Sequence, residues 1–155
     1  MDRITRALTI AFMLHQGQRR KCDDSPYIVH VLDVARLLLF ERGVGDDVVI
    51  AGILHDTLED TPYTAEQLES DFGYNVRQLV ESVTEPLENK GMNKVERQHT
   101  WRQRKQYKLN LATDATREQL LVSIADKASN LQSLRDDLLI FGSGMWDYFN
   151  ASKED

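Results

Sequence analysis

The sequence predicts an all-α domain. Apolar residues recur every three or four positions along nearly the whole chain. Two capping boxes, TAEQ at 64–67 and TREQ at 116–119, mark helix starts. Strand-like alternation never persists for more than a few residues.

The elements follow in order. Behind a cap at Asp2, the residues Ile4, Ala7, Leu8, Ala11 and Phe12 form the inward stripe of a first helix ending near Gly17. Pro26 opens a second, with Ile28, Val31, Leu32, Ala35, Leu38 and Leu39 inward and Gly43 just past its end. A third helix is expected to run unbroken over about 46–58, with Pro62 beyond it. The first capping box opens a short fourth helix that stops near Gly73, and YNVRQLVESV continues as a fifth. TEPLENKGMN reads as a loop by its Pro, Gly and Asn content. A long polar helix is expected over about 94–112. The second capping box opens a last helix that ends at Gly142. The expected architecture is a bundle of six or seven helices.

With 155 residues, no repeat and no linker, the chain is expected to form a single domain over 1–155. No apolar run approaches the ~20 residues of a membrane span, and the N-terminus is too polar for a signal peptide. Cys22 is the only cysteine, so no intrachain disulfide is possible, and a cytoplasmic location is expected. A net charge of −6 weighs against general nucleic-acid binding. It leaves room for a small phosphorylated ligand, because basic residues cluster at Arg19, Arg20 and Lys21, over 102–105, and at Lys127. Nothing here sets the oligomeric state.

The stretch GILHDTLEDT at 52–61 places His55, Asp56, Glu59 and Asp60 among leucines and isoleucine. Burying such groups costs several kcal/mol unless they are paired or hold a metal. On one continuous helix Glu59 is i+4 from His55, and Asp60 is i+4 from Asp56. The four side chains then form two rows on one side. Imidazole and carboxylate are ordinary ligands of a divalent transition metal. Two more carboxylates one turn on suit water activation. His30 interrupts an apolar helix face, and Asp126 lies between Ala125 and Lys127 on another helix. His, His-Asp and Asp on separate helices form the ligand order of an HD-type metal phosphohydrolase.

Three segments carry a more specific resemblance. HQGQRRKCDDSPYIVHVLDVA resembles the pattern H-x-GQ-x-RK, then PYI-x-H and VA; AGILHDTLEDT resembles A-x-x-LHD-x-x-EDT; IADKASNL resembles LADK-x-x-NL. Together they resemble the HD hydrolase domain of the RelA/SpoT group, in particular its small single-domain members of the metazoan SpoT homologue type. The likeness spans about residues 7 to 135.

The resemblance implies an HD-domain helical bundle and a manganese-dependent enzyme that removes pyrophosphate from the 3′ position of guanosine tetra- or pentaphosphate. It implies His30, His55, Asp56 and Asp126 as metal ligands. Glu59 and Asp60 would orient or activate the attacking water. Arg20 and Lys21 match the pair beside the nucleotide, and Asn130 matches the asparagine that contacts it. The sequence departs from the pattern in places. The loop RKCDDSPY is one residue longer and lacks a glycine, and Ala128-Ser129 stands where Leu-His is frequent. The C-terminal WDYFNASKED stops at Asp155, so the last helix is expected to be short or truncated.

Each residue also has a plainer reading. His30 by itself would be a hydrogen-bonded core histidine. Acids near a helix C-terminus oppose the macrodipole, which makes mere capping a weak account of Glu59 and Asp60. Arg19, Arg20 and Lys21 at a helix end would complement that dipole. WRQRKQYK reads as a solvated helix face from which Arg104 or Lys105 could reach a substrate phosphate. Trp146, Tyr148 and Phe149 read as core rather than as a base-stacking platform. Two other functions remain open at this stage. One is an HD phosphohydrolase on a nucleoside monophosphate or the 2′-phosphate of NADPH; the other is a non-catalytic helical binding or sensor module.

Overall fold

A computed structural model of the chain describes residues 1–86 and 93–148. Among these the regular structure is helical: α1 (Arg3–Leu14), α2 (Ile28–Phe40), α3 (Asp46–Leu54), α4 (Thr57–Asp60), α5 (Ala65–Phe72), α6 (Tyr74–Val83), α7 (Lys94–His99), α8 (Trp101–Thr113) and α9 (Arg117–Phe141), then a 3₁₀ turn (Gly142–Tyr148). The caps form as their chemistry requires. The Asp2 carboxylate accepts the Thr5 N–H at 2.8 Å. Both capping boxes close reciprocally, Thr64 with Gln67 and Thr116 with Gln119. Gly73 links α5 to α6 at φ 92°, a conformation that costs glycine little.

Helix α3 is the centre of the bundle, and Val48 to Leu54 are all buried. It packs against α1, α2, α6 and α9, and α9 also packs on α2. Gly52 lets α2 pack tightly on α3. A Cβ there would lie 2.2 Å from Leu38 Cδ1 and 3.2 Å from Val34 Cγ1.

Two expected helices are each split. The third breaks at the His55-Asp56 dipeptide, where Asp56 has φ −98° and ψ −1°. Side chains take the carbonyls at that break: His55 Nδ1 donates to Gly52 O at 2.8 Å and Thr57 Oγ1 to Leu54 O at 2.7 Å. The polar helix breaks at Thr100, which separates α7 from α8. Leu32, Leu39 and Phe12 were expected inward and are exposed. The buried face of α2 is His30, Val31, Val34, Ala35 and Leu38, and Leu32 and Leu39, each ~100° beyond Val31 and Leu38, lie past its edge. Phe12 follows the buried Ala11 in the same way. Trp146 and Tyr148 are also exposed, because Met145 takes the buried place in the 3₁₀ turn. Of the expected loop at 84–93, residues 84–86 and 93 are non-helical, while 87–92, Phe149 and the C-terminal tail lie outside the described residues. No helix among the described residues is long and apolar enough to cross a membrane.

Candidate metal centre

The break after α3 turns His55 and Asp56 toward α2 and α9. His30 from α2 and His55 are 2% and 3% exposed, and their Nε2 atoms lie 3.3 Å apart. Asp56 Oδ2 is 2.8 Å from His55 Nε2. Asp126 Oδ1 from α9 lies 3.4 Å from His30 Nε2 and 3.7 Å from His55 Nε2. One donor atom each from His30, His55 and Asp56 lies within 4.8 Å of the others.

The outer groups fix the rings. His55 Nδ1 faces a carbonyl and must be its protonated nitrogen, so in the neutral ring Nε2 carries the lone pair. His30 Nδ1 lies 3.0 Å from Ser129 Oγ, next to Asn130 on α9. The Tyr27 hydroxyl donates to Asp56, and Lys127 and Asn130 donate to Asp126. Two imidazole nitrogens and two carboxylates thus meet in a buried space. Burial alone would raise the Asp56 carboxyl, but His55 outweighs it and holds the group well below the usual carboxylate range. Burial likewise opposes ionisation of Asp126, and hydrogen bonds from His30 and His55 overcome it. Burial pushes His55 down, and Asp56 with Asp126 draws it up further than burial lowers it. The cluster therefore attracts positive charge. Its nitrogen and oxygen donors suit a divalent transition metal.

Glu59 and Asp60 lie on α4 and diverge, where a continuous helix would have put them in parallel rows. Glu59 Oε1 accepts the Glu85 N–H, just after α6, and lies 3.9 Å from Lys108 Nζ. Burial raises the Glu59 carboxyl despite Lys108. Asp60 faces the other way and accepts a 3.4 Å hydrogen bond from Gln18 Nε2.

Arg20 donates to Asn130 Oδ1 at 3.2 Å, so these two residues, 110 apart in sequence, meet beside Asp126. The Arg20 loop is closed by Arg20 N–H to Ser25 O at 2.9 Å and Tyr27 N–H to Gln18 O at 3.0 Å. Asp24 takes the left-handed conformation at φ 54°, a role that aspartate fills more readily than most residues. Lys21 is exposed in the same loop.

Arg104 is not on a solvated face. It is 8% exposed, with Nη1 2.8 Å and 3.0 Å from the two Glu85 carboxylate oxygens. An acid left alone there would be too costly to bury. Lys105 lies with its Nζ 5.9 Å from the Trp101 ring centroid. Burial and the nearby Lys127 and Lys108 lower its pKa. A pocket of about 250 Å³ opens beside His55, Asp56 and Asp126, with Lys108, Lys127 and Ser123 on its wall.

Sequence reasoning missed Tyr27, Ser129, Gln18, Glu85 and Lys108. Tyr27 and Ser129 each sit three positions from a named ligand, His30 and Asp126, so helical spacing could have found them. Nothing local marked Glu85, whose role depends on a helix nearly twenty positions on.

A helical bundle with His, His-Asp and Asp converging from α2, the α3–α4 turn and α9 defines an HD-type metal centre. The HD domain family profile matches residues 7–138. The chain is 40% identical over 134 residues to the guanosine-3′,5′-bis(diphosphate) 3′-pyrophosphohydrolase MESH1 of Xenopus tropicalis, covering 85% of this chain and 69% of that one. It is 41% identical over 130 residues to the MESH1 of Homo sapiens, covering 83% and 67%. A solved structure of a metazoan orthologue of SpoT that hydrolyzes ppGpp superposes with a TM-score of 0.74 at 32% identity, covering 87% of this chain and 71% of that one. The chain belongs to the HD-domain family, within its MESH1-like group.

Proposed function

We infer that this protein is a guanosine-3′,5′-bis(diphosphate) 3′-pyrophosphohydrolase, which cleaves the 3′-pyrophosphate from guanosine tetra- or pentaphosphate and leaves GDP or GTP. The convergence of His30, His55, Asp56 and Asp126 beside a lysine-lined pocket carries this reading. The likeness to the frog and human enzymes supports the substrate.

His30, His55, Asp56 and Asp126 would hold the cation, and manganese is the ion we assign to this mixed nitrogen and oxygen set. Bound there, it supplies Lewis acidity to the phosphoryl oxygens and eases deprotonation of water. Glu59 takes the proton of the attacking water at a carboxylate oxygen. Its raised pKa matches that task, because a weakly acidic carboxyl is a better base. Asp60 orients the water from the opposite side. Arg20, Lys21 and Asn130 contact the nucleotide, and Lys105 adds charge for its phosphates. Arg104 was the other cation expected at a phosphate; its buried pairing with Glu85 points to different work.

The test is turnover by the purified protein, metal-free and manganese-loaded, on guanosine tetraphosphate, NADPH and simple nucleotides. Manganese-dependent release of pyrophosphate from guanosine tetraphosphate is the expected result. Preference for NADPH or a nucleoside monophosphate would overturn the substrate, and no turnover of any would leave a binding module.

A further inference from the structure

Four charged groups from three parts of the chain, Glu59 among them, meet between α4 and α8. Arg104 and Lys108 are i and i+4 on α8, so they share a face. Arg104 Nη1 holds both oxygens of Glu85. Lys108 Nζ lies between the two acids, 3.7 Å from Glu85 Oε1 and 3.9 Å from Glu59 Oε1, and donates to Val83 O at 3.4 Å. The Glu85 main chain in turn donates its N–H to Glu59. The Arg104 and Glu85 side chains are 9% and 11% exposed.

Among the described residues two carboxylates and two cations meet here, and each acid depends on how the cations are divided. The Glu85 carboxylate repels that of Glu59. While Arg104 neutralises Glu85, Lys108 remains for Glu59, and the Glu85 N–H stays aimed at the Glu59 carboxylate. Without Arg104, the buried Glu85 would draw Lys108 to itself, because a half-buried ammonium is the nearest charge available.

We propose that Arg104 is a positioning residue that sets the Glu59 carboxylate through Glu85 and Lys108, and not a ligand of the substrate's phosphates. This rests on the hydrolase reading above, in which Glu59 is the base. The two roles predict opposite kinetics. A phosphate ligand lost from the enzyme weakens binding in the ground state, whereas a displaced base slows the chemical step.

The experiment compares the full-length, manganese-loaded protein with Arg104→Met, Arg104→Lys and the double variant Glu85→Gln/Arg104→Met. Guanosine tetraphosphate is the substrate. Arg104→Met should lower kcat at least about tenfold and leave KM within about twofold. Arg104→Lys keeps the charge and should recover part of the loss. The double variant should return kcat to within about threefold of wild type, because a neutral amide at position 85 no longer competes for Lys108. It also buries no unpaired charge, so it stays informative if Arg104→Met does not fold. A raised KM with kcat preserved, or a double variant no better than Arg104→Met, would overturn the proposal. A wild-type protein inactive on guanosine tetraphosphate would overturn the hydrolase reading itself, and that result is seen before any variant is compared.

Discussion

His30 and His55 face each other through their Nε2 atoms at 3.3 Å, nearly closed off from solvent. Asp56 and Asp126 stand beside the same two nitrogens, so a divalent cation bound here would gather both imidazoles and both carboxylates. Metal removal should therefore lower the melting temperature, and added manganese should restore it. Elemental analysis of the purified protein should find a divalent ion. Asp126→Ala should lower both metal content and melting temperature. A chelated protein that melts unchanged, together with no bound metal after purification, would sink the assignment.

Ser129 lies behind His30 and orients it, with its hydroxyl 3.0 Å from Nδ1. Groups of this kind typically govern metal affinity by about ten- to a hundredfold. Ser129→Ala should weaken manganese binding by an amount in that range while the fold persists. Isothermal titration of the chelated protein reads it directly. Unchanged affinity would mean that packing alone holds the ring.

Arg20 and Asn130 hold each other across the mouth of the centre. Arg20→Ala and Lys21→Ala should raise KM for guanosine tetraphosphate more than they lower kcat, since charge on a bound phosphate acts in ground and transition state alike. Because Arg20 and Asn130 share one hydrogen bond, Arg20→Ala and Asn130→Ala should be non-additive in KM. Steady-state kinetics of the two single variants and the double checks this. An unchanged KM for both Arg20→Ala and Lys21→Ala would remove them from the binding surface.

Glu59 stands apart from His30, His55, Asp56 and Asp126 and accepts the Glu85 N–H. Glu59→Gln keeps the shape and removes the proposed base. Turnover should fall by about a hundredfold or more, the range expected for losing general acid–base help. Metal content should hold, because no ligand is touched. Asp60→Asn should also slow turnover, through the opposite wall formed with Gln18. Near-wild-type rates in both variants, with His55→Ala inactive, would make the acids structural.

That His30, His55, Asp56 and Asp126 belong together was legible because their signal is local. A histidine on an apolar stripe and an His-Asp pair among leucines contradict their surroundings, and only a compensating partner resolves that. The capping boxes were legible for the same reason, since a few neighbouring residues decide them. What escaped was decided by distant packing. Periodicity extends α3 straight through His55, yet the ring and Thr57 take the last carbonyls and end the helix. A polar run at 101–108 reads as solvated, yet Glu85 draws Arg104 inward across nearly twenty positions. Leu38 and Leu39 are equally apolar, and only the placement of α3 decides which one is buried.

Gly52 ties that packing to the chemistry. It lies on α3 against Val34 and Leu38 of α2, three residues before His55. An alanine Cβ would stand 2.2 Å from Leu38 Cδ1, and Leu38 is buried. Overpacking of this kind typically costs about 1–3 kcal/mol. Leu38 must turn aside or α2 must move away, and His30 rides on α2. Gly52→Ala should therefore lose stability and manganese affinity together, although residue 52 donates no side chain to the centre. The double variant Gly52→Ala/Leu38→Ala should recover both in part, because the shortened side chain vacates the space that the new methyl needs. Denaturant melts and metal titration of the single and double variants test the link. Stability lost with affinity intact would show that the centre is held by its own hydrogen bonds and not by the approach of α2 to α3.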